Sequence, residues 1–263
     1  MLKINVIWIT GASSGIGKEL ALQYARRQNT ALILSSRRKK ELENVRKACG
    51  KSTLIAVLPF DLEIPDKATQ VVKQALTIFG HIDVLINNGG VSQRSLISET
   101  NYEVFERLMQ INYLGTVALS RAVLPHFIAR QKGHYVVVTS VMGKYGSPYR
   151  SGYAAAKHAL HGFFDVLRME HQKDCIDVTL LCPGFVQTQV TINALTGDGT
   201  ILGKDDPATA NGLPLKNFVK KAIRAIDYKK WEVAFGRKEL LGVYLKRFSN
   251  KLLHYIVLRS RVR

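Results

Sequence analysis

The chain has 263 residues, 46% of them hydrophobic, and its 38 Lys and Arg against 20 Asp and Glu give a formal net charge of +18. That length holds a sizeable core, and a composition free of low-complexity stretches, internal repeats and long linkers excludes fibrous, disordered and repeat architectures in favour of one α/β domain. Three cysteines, Cys49, Cys175 and Cys182, fall in or beside apolar segments without metal-ligand spacing. No metal centre is expected, and the thiols are read as free, buried and in a reducing, cytoplasmic compartment.

Apolar runs of strand type, at residues 4–9, 31–35, 54–59, 83–87, 135–139, 178–182 and 231–235, alternate with helical patterns. This alternation predicts a doubly wound Rossmann fold, a seven-stranded parallel sheet with helices on both faces, whose ligand lies at the carboxyl ends of the strands. The first run, within MLKINVIWITG, is too short to cross a bilayer and has no signal-cleavage pattern, so it reads as a buried strand. Directly after it, Thr10-Gly11-Ala12-Ser13-Ser14-Gly15-Ile16-Gly17 opens a helix. Glycines let the backbone turn sharply and approach a pyrophosphate, while a helix N-terminus offers unpaired N–H groups and the positive end of its dipole. An ordinary flexible turn is the competing reading.

The end of the second strand sets cofactor preference, because a carboxylate there suits a ribose 2′-hydroxyl and a cation suits a 2′-phosphate. Ser35-Ser36-Arg37-Arg38-Lys39-Lys40 has no carboxylate before Glu41. The pattern predicts NADP(H), with Arg37 at the phosphate and Arg38 or Ser36 assisting. After the third strand, Asp61, next to Leu62, is placed to accept a hydrogen bond from an adenine amino group. After the fourth, Asn87-Asn88-Gly89-Gly90 lets backbone lie close to a cofactor and offers amides that tie strands together. Asn112 lies in an apolar helical stretch, where its amide needs a partner. Ser140 closes the fifth strand, where a hydroxyl can hydrogen-bond a substrate carbonyl.

A helix is predicted over Ser151–Glu170, rich in alanine and free of proline. Residues four apart share a helix face, which sets the Tyr153 phenol beside the Lys157 ammonium. A free phenol titrates near ~10, and bringing it to about 7 takes roughly 4 kcal/mol. A cation at about 4 Å supplies a similar amount at an effective dielectric near 20. The pair thus makes a candidate proton donor and acceptor, although lysine-rich helices also bring such pairs together by chance.

Residues 189–214 form a long polar connection that overhangs the strand ends and reads as a substrate lid. Beyond residue 236 the chain becomes a basic extension rather than a second domain. From Lys216 to Arg263 there are 14 Lys or Arg against three Asp or Glu. Leu241, Tyr244, Leu245, Phe248, Leu252, Tyr255 and Ile256 recur at helical spacing among Lys246, Arg247 and Lys251. Such an amphipathic helix fits an anionic membrane surface, a subunit interface or packing on the chain's own core. Nucleic acid is not an expected partner, since no base-reading module accompanies the charge.

TGASSGIG at residues 10–17, Asp61, NNGG at 87–90, Asn112, Ser140, YAAAK at 153–157 and PGFVQT at 183–188 come in order along nearly the whole chain. Together they resemble the short-chain dehydrogenase/reductase family, with NNGGVSQRSL and YAAAKHALHGFF nearest its member-7 branch and INALTGDGT nearest 7B. Gly89 departs from the alanine usual there. The resemblance implies Tyr153 as general acid/base, Lys157 lowering its pKa and binding the nicotinamide ribose, Ser140 polarising the carbonyl, and Asn112 holding a relay water. It further implies that Pro183, Gly184, Val186 and Thr188 meet the nicotinamide side. The expected reaction is an NADPH-linked reduction of a hydrophobic carbonyl compound, such as a steroid, a retinoid or an acylated dihydroxyacetone-phosphate-type lipid, by a homodimer or homotetramer. One alternative is a non-catalytic cofactor-binding sensor or scaffold, which a broken Tyr/Lys pair would mark, and the pair is intact; another is a membrane- or nucleic-acid-binding protein acting through the basic tail.

Overall fold

A computed structural model describes residues 4–50 and 53–260. Residues 1–3 of the expected domain and 261–263 of the expected extension lie outside the described residues. The strands are β1 (Asn5–Thr10), β2 (Thr30–Ser35), β3 (Leu54–Val57), β4 (Val84–Asn87), β5 (Gly133–Val138), β6 (Ile176–Pro183) and β7 (Glu232–Phe235). They form one seven-stranded sheet in the order β3-β2-β1-β4-β5-β6-β7, and every pairing is parallel. The third run ends sooner as a strand than its apolar pattern suggests, although Leu58 N and Phe60 N still donate to Leu34 O and Ser36 O of the neighbouring segment at 3.0 and 3.2 Å.

The helices are α1 (Gly15–Tyr24), α2 (Lys39–Ala48), α3 (Ala68–Phe79), α4 (Tyr102–Met109), α5 (Gly115–Arg130), α6 (Ser151–Glu170), the single turn α7 (Pro207–Ala210), α8 (Leu215–Asp227), α9 (Leu240–Phe248) and α10 (Asn250–Arg259). Successive strand residues point to opposite faces. Val6, Trp8, Ala31 and Ile33 accordingly pack with α3, α5 and α6. Ile7, Ile9, Leu32 and Leu34 pack with α1, α2 and α8. Strands buried on both faces read as continuous apolar runs, which is why they were legible.

From β1 the chain winds outward through β2 and β3, then returns to β4 on the other side of β1. The loops after β1 and β4 therefore diverge and leave a crevice at the carboxyl ends. Pairings such as Ile9 with Ile86, Val138 with Leu181 and Pro183 with Phe235 align those ends.

The extension folds back onto the body. Leu253 of α10 is buried in a small core with Val141, Met142, Tyr145 and Ala154. The Ser249 hydroxyl accepts a hydrogen bond from Leu252 N at 3.2 Å and so caps α10. One cysteine expectation fails: Cys182 is buried and Cys49 half-buried, but Cys175 is exposed. It occupies a left-handed turn (φ 56°) that leads into β6 and carries its side chain to the surface.

Candidate active site

The turn after β1 needs its glycines for two separate reasons. Gly11 and Gly15 have φ of 62° and 51°, in the left-handed region that side chains disfavour. A Cβ on Gly11 would stand 2.8 Å from both Asn88 Nδ2 and Gly89 Cα. At the start of α1, Ser14 makes no side-chain capping bond, so the N–H groups there remain available to an anion. Thr10 and Asn88 stitch β1 to β4. Thr10 Oγ1 accepts from Asn88 N and Gly89 N at 3.0 and 3.1 Å, and Asn88 Nδ2 donates to Thr10 O at 3.1 Å. Thr188 reaches the same turn from beyond β6, its side chain 3.5 Å from a Cβ on Gly15.

At the end of β2 the two arginines point to different partners. Arg38 lies over the turn, donating to Ser13 Oγ at 3.0 Å and Ser14 Oγ at 3.2 Å. Ser36 Oγ accepts from Arg38 N at 3.2 Å. Arg37 is exposed and drawn toward Glu63, 3.8 Å away. Asp61 Oδ1 accepts from Glu63 N at 3.1 Å. Leu62 fills the space that an alanine at residue 89 would take, since a Cβ on Gly89 would stand 2.6 Å from Leu62 Cδ1. The departure at Gly89 is thus matched by its neighbour.

Asn112 is wholly buried in a π-helical turn, Gln110–Leu114, between α4 and α5. Its Oδ1 accepts from Val91 N at 3.1 Å, and its Nδ2 donates to Val91 O and Leu108 O at 3.0 and 2.9 Å. The amide is saturated and locks the segment after NNGG to the helix. Gly90 packs against it: a Cβ there would stand 2.6 Å from Asn112 Oδ1 and 3.6 Å from Lys157 Nζ.

Ser140, Tyr153 and Lys157 meet where β5 ends against α6. The Ser140 hydroxyl accepts from Met142 N at 3.1 Å and donates to Pro183 O at 3.3 Å. It lines the same cavity as the Tyr153 phenol. Lys157 Nζ donates to Val138 O at 2.9 Å and lies 5.7 Å from the centre of the Tyr153 ring. Desolvation pushes the phenol above its ordinary value, against the nearby Ser140 hydroxyl and the charges of Arg94 and Arg150, which pull it down. The ammonium is engaged by a carbonyl, and burial lowers Lys157 itself to about 8.

The short chain dehydrogenase family profile matches residues 5–198. The chain belongs to the short-chain dehydrogenase/reductase family. It is 38% identical over 263 residues to a dehydrogenase/reductase SDR family protein 7-like of Anopheles gambiae, covering 98% of this chain and 83% of that one. It is 46% identical over 201 residues to human dehydrogenase/reductase SDR family member 7, covering 74% and 59%. Among solved structures, a Sphingobium yanoikuyae short-chain dehydrogenase in complex with NADPH aligns with a TM-score of 0.77 at 26% identity, over 99% of this chain and 97% of that one. A Burkholderia phymatum member in complex with NAD aligns at 0.83 and 21% identity, over 95% of each chain. The chain is therefore an oxidoreductase of the short-chain dehydrogenase/reductase fold.

In this family member Ser140 and Tyr153 face a cavity of about 500 Å³ with largely apolar walls. Gly184 and Val186 line it as well, and Pro183 ends β6 beside Ser140. Two groups of lining residues escaped the sequence reading. One is a buried ionic cluster: Arg94 donates to Asp206 Oδ2 at 2.8 Å, and Arg150 Nη2 lies 3.6 Å from the same oxygen. Burial, and then the charge of Arg94, push Arg150 down to about 10. The other is the extension, since Leu241, Leu253, Tyr255, Ile256 and Val257 form one wall. The expected lid at 189–214 contributes only Val190 and Thr209 and is tethered by Asp206. A helical period marks the amphipathic tail but cannot say which surface it meets.

Proposed function

We propose that the chain is an NADPH-dependent carbonyl reductase acting on a hydrophobic ketone or aldehyde, of steroid, retinoid or lipid-ketone type. The observation that carries this reading is Ser140 and Tyr153 together on the wall of one apolar cavity, with Lys157 one helical turn behind. The turn shaped by the positive φ of Gly11 and Gly15, with the uncapped start of α1, fits a dinucleotide pyrophosphate, because it leaves backbone N–H groups free to face an anion.

NADPH would supply the hydride, from its nicotinamide C4. Thr10, Gly11, Ser13, Ser14, Gly15, Ile16 and Gly17 would hold the pyrophosphate, and Arg38 with Ser36 the 2′-phosphate, with Arg37 in a lesser role. Asp61 and Leu62 would meet the adenine, and Asn88, Gly89 and Gly90 the adjoining ribose. Lys157 would bind the nicotinamide ribose, while Pro183, Gly184, Val186 and Thr188 would border the ring. Ser140 would turn its one hydroxyl proton from Pro183 O to the substrate oxygen and so stabilise the charge that develops there. Tyr153, held protonated by its surroundings, would give that oxygen its proton. Asn112 would serve by fixing the π-turn beside Lys157, from which a relay water reaches solvent. A homodimer or homotetramer completes the reading.

The test is NADPH oxidation measured across steroid, retinoid, lipid-ketone and small aromatic carbonyls. Tyr153→Phe is expected to lower kcat by roughly three orders of magnitude or more while NADPH binding stays nearly intact. Near-wild-type turnover in that variant overturns the mechanism.

A further inference from the structure

Helices α9 and α10 bury only one side of their apolar surface. Leu253 and Val257 of α10, with Leu240, Val243 and Leu245 of α9, pack on the small core around Tyr145. A second stripe on each helix stays exposed. On α9 it is Leu241, Tyr244 and Phe248, spaced i, i+3, i+7, with Phe248 82% exposed. On α10 it is Leu252, Tyr255 and Ile256, spaced i, i+3, i+4. Of the 19 exposed large apolar side chains among the described residues, seven fall within residues 241–258. Scattered apolar residues are ordinary on a protein surface, but this concentration marks an interaction site.

The charge of the segment selects the partner. Lys246, Arg247, Lys251 and Arg259 are all exposed and interleaved with the apolar stripe, and residues 240–263 contain no Asp or Glu. The Arg259 guanidinium lies 3.8 Å over the Tyr255 ring, at the edge of that stripe. A second copy of the chain using the same face would set cation against cation. A bilayer bearing anionic headgroups offers both an apolar phase for Phe248 and Tyr244 and counter-charge for the lysines and arginines. Leu241, Tyr255 and Ile256 belong to the exposed stripe and also line the catalytic cavity, so the stripe forms its rim.

We propose that the outward face of α9 and α10 docks on an anionic phospholipid bilayer and sets the rim of the catalytic cavity at the lipid surface, so that an apolar carbonyl compound reaches Tyr153 from the acyl-chain region. The substrate's route rests on the reductase reading above; the docking does not, and its test needs no turnover. Full-length protein is co-sedimented with vesicles of phosphatidylcholine alone or mixed with phosphatidylserine, at low and high salt. Binding is expected to the mixed vesicles, weakening with salt, and to fall at least ~10-fold in the double variant Lys246→Glu, Arg247→Glu. Because these side chains are exposed, the variant's melting temperature is expected to stay near wild type. In Phe248→Trp, the new indole is expected to shift to the blue on mixed vesicles and to be quenched by lipids brominated in the acyl chain.

Absence of binding to either vesicle overturns the docking, as does binding that the charge reversal leaves unchanged. Self-association abolished by Phe248→Ala, without vesicle binding, makes the face a copy interface, and capture only by a soluble acidic protein makes it a protein site; each overturns the proposal. Salt-sensitive binding without turnover of any carbonyl upholds the docking and counts against the reductase reading alone.

Discussion

Lys157 is a buried amine whose hydration is replaced by one carbonyl, Val138 O at 2.9 Å. Desolvation disfavours the charged form, which is why its pKa falls to about 8. An unfolded lysine titrates near ~10.4, so between about 8 and that value the unfolded chain binds the extra proton and this residue's contribution to stability rises with pH. Under the proposed reductase function activity takes the opposite course, because the ammonium is the form that would hold a ribose and favour proton movement at Tyr153. We expect kcat/KM for carbonyl reduction to fall above an inflection near pH 8, and Lys157→Arg, whose guanidinium stays charged, to lack that inflection whatever its absolute rate. A wild-type profile flat to the alkaline limit of stability would rule out the charged role. Arg38 yields a second expectation at this scale, since its bonds to Ser13 and Ser14 put its guanidinium at the turn while Arg37 leans to Glu63. A charge-assisted hydrogen bond contributes about 1.5–3 kcal/mol, so Arg38→Ala should raise KM for NADPH roughly 10- to 100-fold. Arg37→Ala should do less, and KM for NADH should hardly move in either. Equal effects on both cofactors would remove the 2′-phosphate role.

The helix carrying Tyr153 owes its start to a residue far away in sequence. Gln93, fully buried, accepts from Gly152 N at 2.8 Å and Tyr153 N at 3.3 Å through Oε1, while its Nε2 donates to Ser95 Oγ at 3.1 Å. It satisfies N–H groups that Arg150, at the N-cap, leaves without a side-chain cap. Gln93→Ala would strand those donors at a cost of about 1–3 kcal/mol and let the first turn of α6 shift. Because a displacement of about 1 Å can cost ~100-fold in rate, the expected signature is a kcat lowered 10- to 100-fold with NADPH affinity nearly unchanged. A loss confined to cofactor binding would point elsewhere. A long-range cap of this kind is invisible to local pattern reading, whereas α6 itself was legible to its last residue from its alanines and unbroken period. The wall built by α9 and α10 lies between these cases. Its period was readable, but the surface it covers depended on Tyr145 and Met142, far away in sequence.

Across the whole molecule, the sheet divides the work between its two ends. Topology was legible because every central strand is buried on both faces, and the glycine-rich turn, Ser140 and Pro183 all fall at the carboxyl edge. The amino edge holds a second ionic centre with no local motif to announce it. Asp83, immediately before β4, is 3% exposed at its side chain and lies 3.0 Å from Arg130 and 3.1 Å from His81. Its Oδ2 accepts from Val6 N at 3.0 Å, which ties β1 to the start of β4. Burial works to raise this carboxyl, but Val6 N–H and the charges of Arg130 and Lys132 outweigh it and hold it below its ordinary value. A depressed carboxylate gives stability that is complete above its unfolded value of ~3.9 and is lost as pH falls through the folded one. Asp83→Asn removes the counter-charge from a partly buried Arg130, a change that costs roughly 3–5 kcal/mol in comparable buried pairs. For a chain of this size that predicts a Tm lower by about 6–15 °C near neutral pH, with the deficit shrinking as the wild type is acidified. Because the site lies at the opposite end of the strands, kcat/KM per folded molecule should stay within about twofold of wild type. A variant that keeps its Tm but loses turnover would show that the two ends are coupled.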